Sequence, residues 1–376
     1  MKKLVLAGGG HAHVEVLRDL GQRPGSGIAV TLVTPRPRFI YTGMIPGAIA
    51  GHYRLEDCSI DLEALARRAN ARFVNGAIFK VDAPNHRLHC ADGETIDYDI
   101  LSLDVGSRVS VGAAMGVDEH ATLVRPMEIL MKGWADVLSR ARDARVRSVT
   151  MVGGGAAGVE LALAMAFRLR VESAESPAHV RVITNTAAIL PEFPAGARRR
   201  LGLALARGNV GVHVGASVDM VGADRVRLDS GIEFESDATF WAGGPSAPAW
   251  IASSGLAVDP RGFLLVNDSF QSVTDRDIFG VGDCATQEGR PHARAGAFPV
   301  RAAPVLASNL RAAAHGSALT PHVTSERYLA LVSAGGKTAV GVWGDLSFQG
   351  WWAWRWKDRI DRAFVARYNG PTPHRR

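Results

Sequence analysis

The sequence is poor in cysteine, and the cysteines it has are widely spaced. Cys58, Cys90 and Cys284 are the three cysteines among 376 residues, and no Cys-x-x-Cys pair occurs. This spacing gives no sign of a zinc site or of a disulfide framework. A reduced, cytoplasmic setting is the simplest interpretation of such cysteine usage.

The sequence also lacks a long uninterrupted apolar run. The longest weakly polar stretch, 149–167, is interrupted by three glycines and contains Glu160. It predicts a strand-turn-helix unit rather than a membrane span. The N-terminus leads directly into a strand-like pattern, so we expect no signal peptide. A hydrophobic content of 47% and a charged content of 21% are typical of a soluble globular protein.

A nucleic-acid signature is missing as well. The 43 Lys and Arg residues exceed the 37 Asp and Glu residues, which gives a formal net charge of +6. No aromatic-basic RNA motif accompanies this charge, so we expect no nucleic-acid partner. The mild basicity instead favours phosphate-bearing cofactors or an anionic membrane surface.

Two glycine-rich segments each lie between a strand-like and a helix-like pattern. The first, 8–13, reads GGGHAH and follows the apolar run 3–7. The second, 153–158, reads GGGAAG and follows the apolar run 149–152. Glycines at such a turn let the backbone approach a pyrophosphate, whose charge the helix N-terminus stabilises. Two such segments predict two dinucleotides held face to face, an arrangement that indicates electron transfer.

The remaining pattern is that of an α/β chain. It predicts helices over 60–70, 127–142, 159–170 and 198–207 and strands over 30–33, 98–103, 180–183 and 238–241. Residues 72–81 and 87–98 are predicted to form a meander of short strands. After residue 263 the chain is predicted to return to the first domain. From about residue 321 it is predicted to form a separate cap that ends in an aromatic helix.

Several motifs together carry a resemblance to a known family. They are the segments 8–13, 41–47, 104–107, 153–160, 281–285 and 354–362. With them the chain resembles the flavoproteins of the pyridine nucleotide-disulfide oxidoreductase superfamily. The most similar groups are type II NADH dehydrogenases, sulfide:quinone reductases and a branch found fused ahead of a selenide water dikinase. The resemblance implies two Rossmann-like domains and a C-terminal cap, namely an FAD-binding domain (1–115 and 263–320), an NAD(P)-binding-like domain (116–262) and the cap (321–376).

The resemblance implies FAD as the cofactor. Asp283 is expected to bond the ribityl chain, and Thr34 stands where an acid usually holds the adenosine ribose. His13 stands at the third glycine position, and for His11 and His13 we favour packing at the helix start over catalysis. The residues expected at FAD are Gly8, Gly10, His11, Thr34, Arg36, Pro46, Gly106, Ser107, Gly282, Asp283 and Phe298.

The resemblance also implies NAD(P)H as the substrate at the second glycine-rich segment. The residues expected to bind it are Gly153, Gly155, Gly158, Thr184 and Gly243. Thr184 stands where an acid selects NAD, and no arginine stands there for a 2′-phosphate, so neither NADH nor NADPH is favoured. Glu160 corresponds to a glutamate near the nicotinamide. The equal alternative is an acid stabilised by the helix dipole.

The positions of the cysteines indicate which reaction mechanisms of the family this chain can use. Disulfide reductases carry a redox-active cysteine pair just after the second FAD strand, whereas 42–47 contains none. Sulfide:quinone reductases use cysteines near the flavin, and here only Cys284 is close to an expected flavin contact. We interpret Cys284 and Cys58 as packing residues, which disfavours a covalent sulfur mechanism.

The C-terminal segment bears on the electron acceptor. An apolar stripe on one helix is predicted from Trp352, Trp356, Ile360 and Phe364, with Arg355, Lys357, Arg359 and Arg362 on the other faces. Such a helix fits an anionic membrane interface. We favour the alternative that the stripe packs onto the flavin domain. Lys337 in a glycine turn of the cap is a catalytic candidate, with a solvated turn lysine as the alternative.

These expectations combine into one preferred hypothesis and two alternatives. We expect an FAD-dependent oxidoreductase that passes hydride from NAD(P)H to the flavin and electrons to a quinone or a similar small acceptor. Glu160 and Lys337 are the catalytic candidates. The alternatives are a sulfur- or selenium-linked flavoprotein and a flavin sensor without turnover. The expected location is the cytoplasm, while peripheral contact with the inner membrane face and the oligomeric state stay open.

Overall fold

The fold was analysed in a computed structural model that describes residues 1–23, 27–143, 145–173, 177–290, 294–323 and 327–370. Strands and helices alternate in the N-terminal part, as the sequence predicts. They are β1 (Lys2–Ala7), α1 (His11–Gln22), β2 (Ile28–Thr34), β3 (Arg38–Ile40), α2 (Ile45–Ile49), β4 (Ser59–Asp61), α3 (Leu62–Arg68), β5 (Arg72–Asn75), β6 (Ile78–Asp82), β7 (Arg87–Cys90), β8 (Thr95–Asp97), β9 (Ile100–Leu103) and β10 (Arg108–Val109).

The middle and C-terminal parts continue this alternation. The middle part contains α4 (Val117–His120), β11 (Ala121–Leu123), α5 (Met127–Arg142), β12 (Ser148–Val152), α6 (Ala156–Glu172), β13 (His179–Ile183), α7 (Ala195–Arg207), β14 (Val210–His213), β15 (Val218–Val221), β16 (Arg225–Leu228), β17 (Glu233–Glu235), β18 (Ala238–Trp241), β19 (Pro245–Ser246) and α8 (Ala249–Ser253). The C-terminal part contains β20 (Leu264–Val266), β21 (Ile278–Gly280), β22 (Ala285–Gln287), α9 (Ala297–Ala314), β23 (Leu329–Ser333), β24 (Ala339–Trp343), β25 (Leu346–Gly350) and α10 (Trp351–Asn369).

The first parallel sheet has the strand order β21-β9-β1-β2-β5. Its strand β21 comes from the C-terminal part, so the chain returns to the first sheet as predicted. The prediction of a meander over 72–81 is wrong in its first half, because Arg72–Asn75 pairs in parallel with β2. Strands β6, β7 and β8 do form an antiparallel meander. The segment 72–75 (RFVN) buries Val74, as expected of a strand that belongs to the central sheet.

The second parallel sheet has the strand order β11-β18-β12-β13-β14. Both glycine-rich segments therefore follow the central strand of a five-stranded parallel sheet and precede a helix. Because ligands of such sheets bind beyond the carboxyl ends of the strands, the two loops mark two nucleotide sites. The α/β class with Rossmann-like sheets is thus confirmed.

The helix predicted over 60–70 begins only at Leu62. Residues Ser59–Asp61 pair with β3 instead of entering the helix. The Asp61 carboxylate then accepts a hydrogen bond of 2.8 Å from the Ala64 amide and caps α3. Leu62 and Leu65 are buried on one face, as the periodicity predicts.

The cap consists of the antiparallel sheet β23-β24-β25 and the long helix α10. The expectation that the apolar stripe of α10 packs inward is wrong for three of its four residues, whereas Phe364 stacks on Tyr41 with ring centroids 4.4 Å apart. Trp352, Trp356 and Ile360 are 45%, 43% and 42% exposed. The buried face of α10 is made instead by Ala353, Trp354, Lys357, Asp361, Val365 and Tyr368. A prediction from hydrophobicity alone assigns the wrong face of α10 to the interior, because the buried face contains a lysine and an aspartate. Within the described residues, no helix is both long and apolar enough to span a bilayer.

Candidate functional site

The first phosphate loop requires glycine at two positions for steric reasons. Gly8 has φ +95°, and a Cβ atom there would lie 2.4 Å from the Asp104 carbonyl oxygen. A Cβ atom at Gly10 would lie 2.4 Å from the Asp104 carboxylate. Both distances are far below van der Waals contact. The loop thus approaches the end of β9 as closely as a bare backbone allows.

His13 replaces the third glycine without disturbing this packing. Its Nδ1 donates to the Gly8 carbonyl over 2.6 Å, and its Nε2 lies 2.8 Å from the Ser102 hydroxyl. Because a carbonyl oxygen only accepts, Nδ1 carries the proton and Nε2 accepts from Ser102. Burial lowers the pKa of His13 to about 4, so the ring is neutral near pH 7. The imidazole is therefore a structural link between the loop and β9.

Asp104 accepts hydrogen bonds from two of the free amides at the N-terminus of α1. One carboxylate oxygen accepts hydrogen bonds from the amides of Ala12 (2.8 Å) and His13 (3.1 Å). Among the described residues, the amides of Gly10 and His11 have no acceptor. Burial raises the pKa of Asp104 to about 6 although the two amide bonds act in the opposite direction. An acid at the end of a buried strand is the sequence signal that could have indicated this role.

Asp283 lies in a polar cluster with Ser107 and Arg125. Arg125 donates over 2.7 Å to the Asp283 carboxylate and over 2.6 Å to the Ser107 hydroxyl. The neighbouring Gly282 has φ +71°, and a Cβ atom there would lie 2.7 Å from an Asp104 carboxylate oxygen. The structure thus brings Ser107, Gly282 and Asp283 together, as expected. Arg125, just before α5, was missed because nothing in its local sequence links it to position 283.

A second arginine orients the backbone of the same turn. Arg294 donates to the carbonyl oxygens of Asp283 (3.1 Å) and Ala285 (2.8 Å). Its guanidinium lies 3.4 Å from the centroid of the Phe263 ring. These contacts hold the backbone carbonyl groups of the turn. The Asp283 side chain bonds instead to Arg125. No role for Arg294 was predicted from the sequence.

The other residues expected at FAD lie around this turn and along β2 and α2. His11 contacts Phe39 edge to face at 4.7 Å, and its Nε2 is buried without a hydrogen-bond partner among the described residues. Arg36 pairs with Glu128 over 3.1 Å. Thr34, Pro46 and Phe298 are buried, and Gly106 has φ +70° with open space where a Cβ atom would be. Their contacts to a cofactor stay predictions.

These features fit an FAD molecule. The amides of Gly10 and His11 are available for a pyrophosphate. The buried His11 nitrogen lacks a partner that a bound group can supply. The Asp283 carboxylate offers acceptor oxygens to hydroxyl groups of a ribityl chain. Among the described residues that contact this loop, Asp104 carries a carboxylate whose negative charge would repel a phosphate. Its raised pKa reduces the fraction of the carboxyl group that is ionised, and so weakens this repulsion.

The second phosphate loop leaves the N-terminus of α6 more open. A Cβ atom at Gly153 would lie 2.2 Å from the Ala242 carbonyl oxygen, and one at Gly158 would lie 2.0 Å from the Gly153 carbonyl oxygen. At Gly155 it would meet nothing within 4 Å. Among the described residues, the amides of 155–158 donate to no protein acceptor, and no side chain caps the helix. Such an N-terminus is a ready anion site.

Two further residues expected at the second nucleotide have structural partners. The Thr184 hydroxyl lies 2.9 Å from the Thr186 hydroxyl, so it forms a turn at the end of β13. A Cβ atom at Gly243 would lie 2.1 Å from the Ser110 carbonyl oxygen. Gly243 is therefore required by its close approach to the neighbouring segment. Their contacts to a nucleotide stay predictions.

The two catalytic candidates lie in different surroundings. A carboxylate oxygen of Glu160 accepts a hydrogen bond of 2.6 Å from the Ser333 amide of the cap. Burial raises the pKa of Glu160, with Lys357 and the Ser333 amide acting against that rise. Lys337 is exposed, and its ammonium lies 5.6 Å from the centroid of the Trp354 ring. Glu160 thus forms a partly buried contact between α6 and the cap, whereas Lys337 lies on the surface of the cap.

The three cysteines are buried thiols. The Cys284 thiol donates to the carbonyl oxygens of Val281 (3.2 Å) and Leu103 (3.5 Å). Burial raises the pKa of Cys58 and Cys284 to about 12, and it also raises the pKa of Cys90. Because the thiolate is the nucleophile, these residues are inert at neutral pH. This supports the packing role inferred from the sequence.

Comparisons with known proteins agree with this geometry. The sulfide-quinone reductase of Aquifex aeolicus is 25% identical over 294 residues, which cover 75% of this chain and 68% of that protein. The type II NADH:quinone oxidoreductase of Haemophilus influenzae is 23% identical over 332 residues, which cover 76% of this chain and 74% of that protein. Both relatives are oxidoreductases that are named for a quinone.

Solved structures show the same fold over nearly the whole chain. The sulfide:quinone oxidoreductase from Aquifex aeolicus superposes with a TM-score of 0.83 at 20% identity, covering 98% of this chain and 92% of that one. NDH2 from Plasmodium falciparum in complex with NADH superposes with a TM-score of 0.80 at 15% identity, covering 98% and 99%. The model of the pyridine nucleotide-disulphide oxidoreductase family matches residues 2–300. The chain therefore belongs to this family, and it is an FAD-dependent oxidoreductase.

Proposed function

We propose that this protein oxidises NAD(P)H and passes the electrons to a quinone. The observation that carries the proposal is the open N-terminus of α6, where the amides of 155–158 have no acceptor among the described residues. A reduced nicotinamide dinucleotide brings the pyrophosphate that such an N-terminus binds. The quinone is proposed from the relatives named above, both of which carry a quinone in their names.

The chain's own residues supply binding and orientation. A bound flavin accepts hydride from a reduced nicotinamide and releases electrons to a second substrate. Asp283, Ser107 and Arg125 would hold the ribityl side of the cofactor, and the loop 8–11 would hold its pyrophosphate. The loop 153–158 would bind the nucleotide, and the hydrogen bond between Glu160 and Ser333 joins the cap to α6. Fixed positions of the two reactants are the main contribution of the protein to such a transfer.

A route through a cysteine persulfide has less support. It needs a thiolate near the flavin, and Cys284 is fully buried with a pKa raised to about 12. Its thiol hydrogen is directed at backbone carbonyl groups rather than at an open space. Sulfide oxidation by a mechanism that uses Cys284 would require this part of the turn to open.

Anaerobic mixing of the holo-protein with NADH and NADPH should bleach the flavin absorbance with at least one of them. The variant Gly155→Val should keep its flavin but need at least about tenfold more nucleotide for bleaching, a loss of about 1.4 kcal/mol in binding. Gly155 has φ −73°, so valine fits the backbone, and its side chain would enter the space in front of the free amides.

The control for this prediction is Gly202→Ala on α7, where a Cβ atom also meets nothing within 4 Å. This variant should bleach like the unaltered protein. Absence of bleaching with either nucleotide would contradict the proposed donor. Equal nucleotide requirements of Gly155→Val and the unaltered protein would remove the second phosphate loop from the proposal.

We also propose that α10 holds the protein at the cytoplasmic face of a membrane. An apolar patch is exposed along α10 and the adjoining hairpin, formed by Trp343, Leu346, Trp351, Trp352, Trp356 and Ile360. The exposed guanidinium groups of Arg355 and Arg359 lie on the same helix. Exposed tryptophans beside basic side chains are typical of helices in an anionic lipid interface. A quinone dissolved in the lipid would then reach the protein at this face.

The triple variant Trp352→Gln/Trp356→Gln/Ile360→Gln should lose most of its flotation with vesicles that contain anionic lipid. Its apolar side chains together provide on the order of 3 kcal/mol of transfer free energy, which corresponds to more than hundredfold in partitioning. The control variant Leu203→Gln/Val214→Gln removes apolar side chains of similar exposure that lie outside α10 and its adjoining hairpin, and it should float normally. Flotation of the triple variant like that of the control would rule out α10 as the anchor.

A further inference from the structure

The carboxyl group of Asp104 lies between the first phosphate loop and the turn that carries Asp283. It is buried, and its Oδ1 is close to both segments. A Cβ atom at Gly10 would lie 2.4 Å from Oδ1, and one at Gly282 would lie 2.7 Å from the same oxygen. In FAD the pyrophosphate and the ribityl chain are joined covalently. A cofactor bound at the loop and at Asp283 therefore passes beside this carboxyl group.

The two oxygens of this carboxyl group have different surroundings. Oδ2 accepts hydrogen bonds from the amides of Ala12 and His13 over 2.8 and 3.1 Å. Oδ1 has no hydrogen-bond donor among the described residues. A proton on the Asp104 carboxyl group is therefore held on Oδ1, because a proton on Oδ2 would point at two groups that already donate. In this form Oδ1 is itself a hydrogen-bond donor.

The ionisable side chains that face Asp104 come from α1 and from the turn after β21. His11 and Asp283 act on its pKa in opposite directions, since a positive charge favours the carboxylate and a negative charge the acid. Burial lowers the pKa of His11 and of His13 and raises that of the Cys284 thiol, so these three groups add little charge near pH 7. Burial is thus the main influence on Asp104, and it raises the pKa to about 6.

Binding of FAD places an anion beside this group. The amides of Gly10 and His11, which have no acceptor among the described residues, are the groups available for the pyrophosphate. A carboxylate next to a phosphate is repelled, whereas a carboxylic acid can donate a short, charge-assisted hydrogen bond to a phosphate oxygen. The phosphate charge therefore raises the pKa of Asp104 further in the complex.

We propose that the Asp104 carboxyl group takes up a proton when FAD binds and donates it in a hydrogen bond from Oδ1 to a pyrophosphate oxygen. Three observations carry the proposal: Gly10 and Gly282 both lie against Oδ1, Oδ1 has no donor among the described residues while Oδ2 has two, and the neighbouring amides lack an acceptor. The inference concerns retention of the cofactor and does not depend on NAD(P)H or a quinone as substrates.

The proton uptake sets the direction of the pH dependence. A group whose pKa is higher in the complex than in the free protein strengthens binding at low pH, and this contribution is lost as the pH rises through the interval between the two values. The lower limit of this interval is the pKa of about 6 in the protein without FAD. We therefore expect the dissociation constant of FAD to rise at least about tenfold between pH 6 and pH 8.

The test follows the release of FAD from the holo-protein over this pH range by the rise in flavin fluorescence. In the variant Asp104→Asn the amide oxygen can still accept from α1, and the amide nitrogen donates at every pH. Its FAD affinity should be nearly independent of pH and should exceed that of the unaltered protein at pH 8. Asp97→Asn, which changes an exposed aspartate of β8, is the matched control and should keep the pH dependence of the unaltered protein.

A second measurement needs no variant. Calorimetry of FAD binding to the unaltered apo-protein, in two buffers of different ionisation enthalpy, should show uptake of about one proton per FAD at pH 7. Binding without proton uptake would overturn the inference. So would a pH dependence that persists in Asp104→Asn and disappears in His11→Asn, because the proton would then belong to the imidazole. Failure of NAD(P)H to bleach the flavin would contradict the proposed function without affecting FAD release, so the two failures are distinguishable.

Discussion

Replacing Gly10 by valine should give a protein that is purified without flavin and takes up none on reconstitution. A Cβ atom at this position would lie 2.4 Å from the Asp104 carboxylate. Asp104 is held by two amides of α1, so it cannot move aside without breaking both hydrogen bonds. The loop must then shift away from β9, so that the amides of Gly10 and His11 can no longer donate hydrogen bonds to the pyrophosphate. The visible absorbance and the flavin-to-protein ratio measure the outcome.

Two comparisons separate this effect from general unfolding. Gly155→Val, in the second loop, should remain yellow, because a Cβ atom at Gly155 meets nothing within 4 Å and so displaces no residue expected at FAD. Far-ultraviolet circular dichroism of Gly10→Val should keep its helical signal, since the clash is local to one turn. A yellow Gly10→Val protein with normal stoichiometry would show that residues 8–13 do not hold the cofactor.

Local geometry explains why the nucleotide loops could be predicted from the sequence. The turn after a parallel strand needs glycine wherever a Cβ atom would strike the neighbouring backbone, as at Gly8, Gly153 and Gly158. The glycine run between an apolar strand and a helix is a signal within a few consecutive residues, although the atoms that a Cβ would strike at Gly8 and Gly153 belong to Asp104 and Ala242. The same holds for α5, whose periodicity predicts the observed range Met127–Arg142. Fold class and loop positions are therefore readable without knowledge of distant contacts.

The remaining parts of the site depend on contacts between distant residues. Asp104 reaches α1 across 91 and 92 residues of sequence, and Arg125 reaches Asp283 across 158. No spacing rule marks such pairs. Lys357 was expected on a face of α10 away from the apolar stripe, whereas the structure buries it beside Asp361 on the face that packs inward. Its sequence neighbour Trp356 was expected inside and is exposed, so one error in the orientation of α10 caused both.

The two phosphate loops differ in a way that matches a resident cofactor and a visiting substrate. At α1 a protein carboxylate already satisfies two amides, and His13 ties the loop to β9. At α6 the amides of 155–158 have no such partner in the part of the chain that the structure describes, and Gly155 lies at the surface. A pre-ordered loop binds its ligand with little loss of conformational entropy, which favours tight retention. An exposed loop favours exchange, as a substrate requires.

Replacing Lys357 alone by methionine should destabilise the protein by about 3–5 kcal/mol near neutral pH, because it leaves the buried Asp361 carboxylate without its partner. The double variant Lys357→Met/Asp361→Asn should recover most of this loss. Urea unfolding of the two single variants, the double variant and the unaltered protein gives the interaction free energy of the pair. Equal stabilities of the single and double variants would show that the carboxylate is not confined in the interior.

The destabilisation of Lys357→Met should also depend on pH in a defined direction. Burial raises the pKa of Asp361, and removal of the lysine removes the main influence that opposes this rise. An acid whose pKa is higher in the folded state favours folding while it is protonated and loses that contribution as the pH rises through its folded pKa. The single variant should therefore be closest to the unaltered protein near pH 5 and furthest from it near pH 8. The double variant has no carboxylate at position 361, so its stability relative to the unaltered protein should change less over this range, and a parallel pH dependence of both variants would assign the effect to another group.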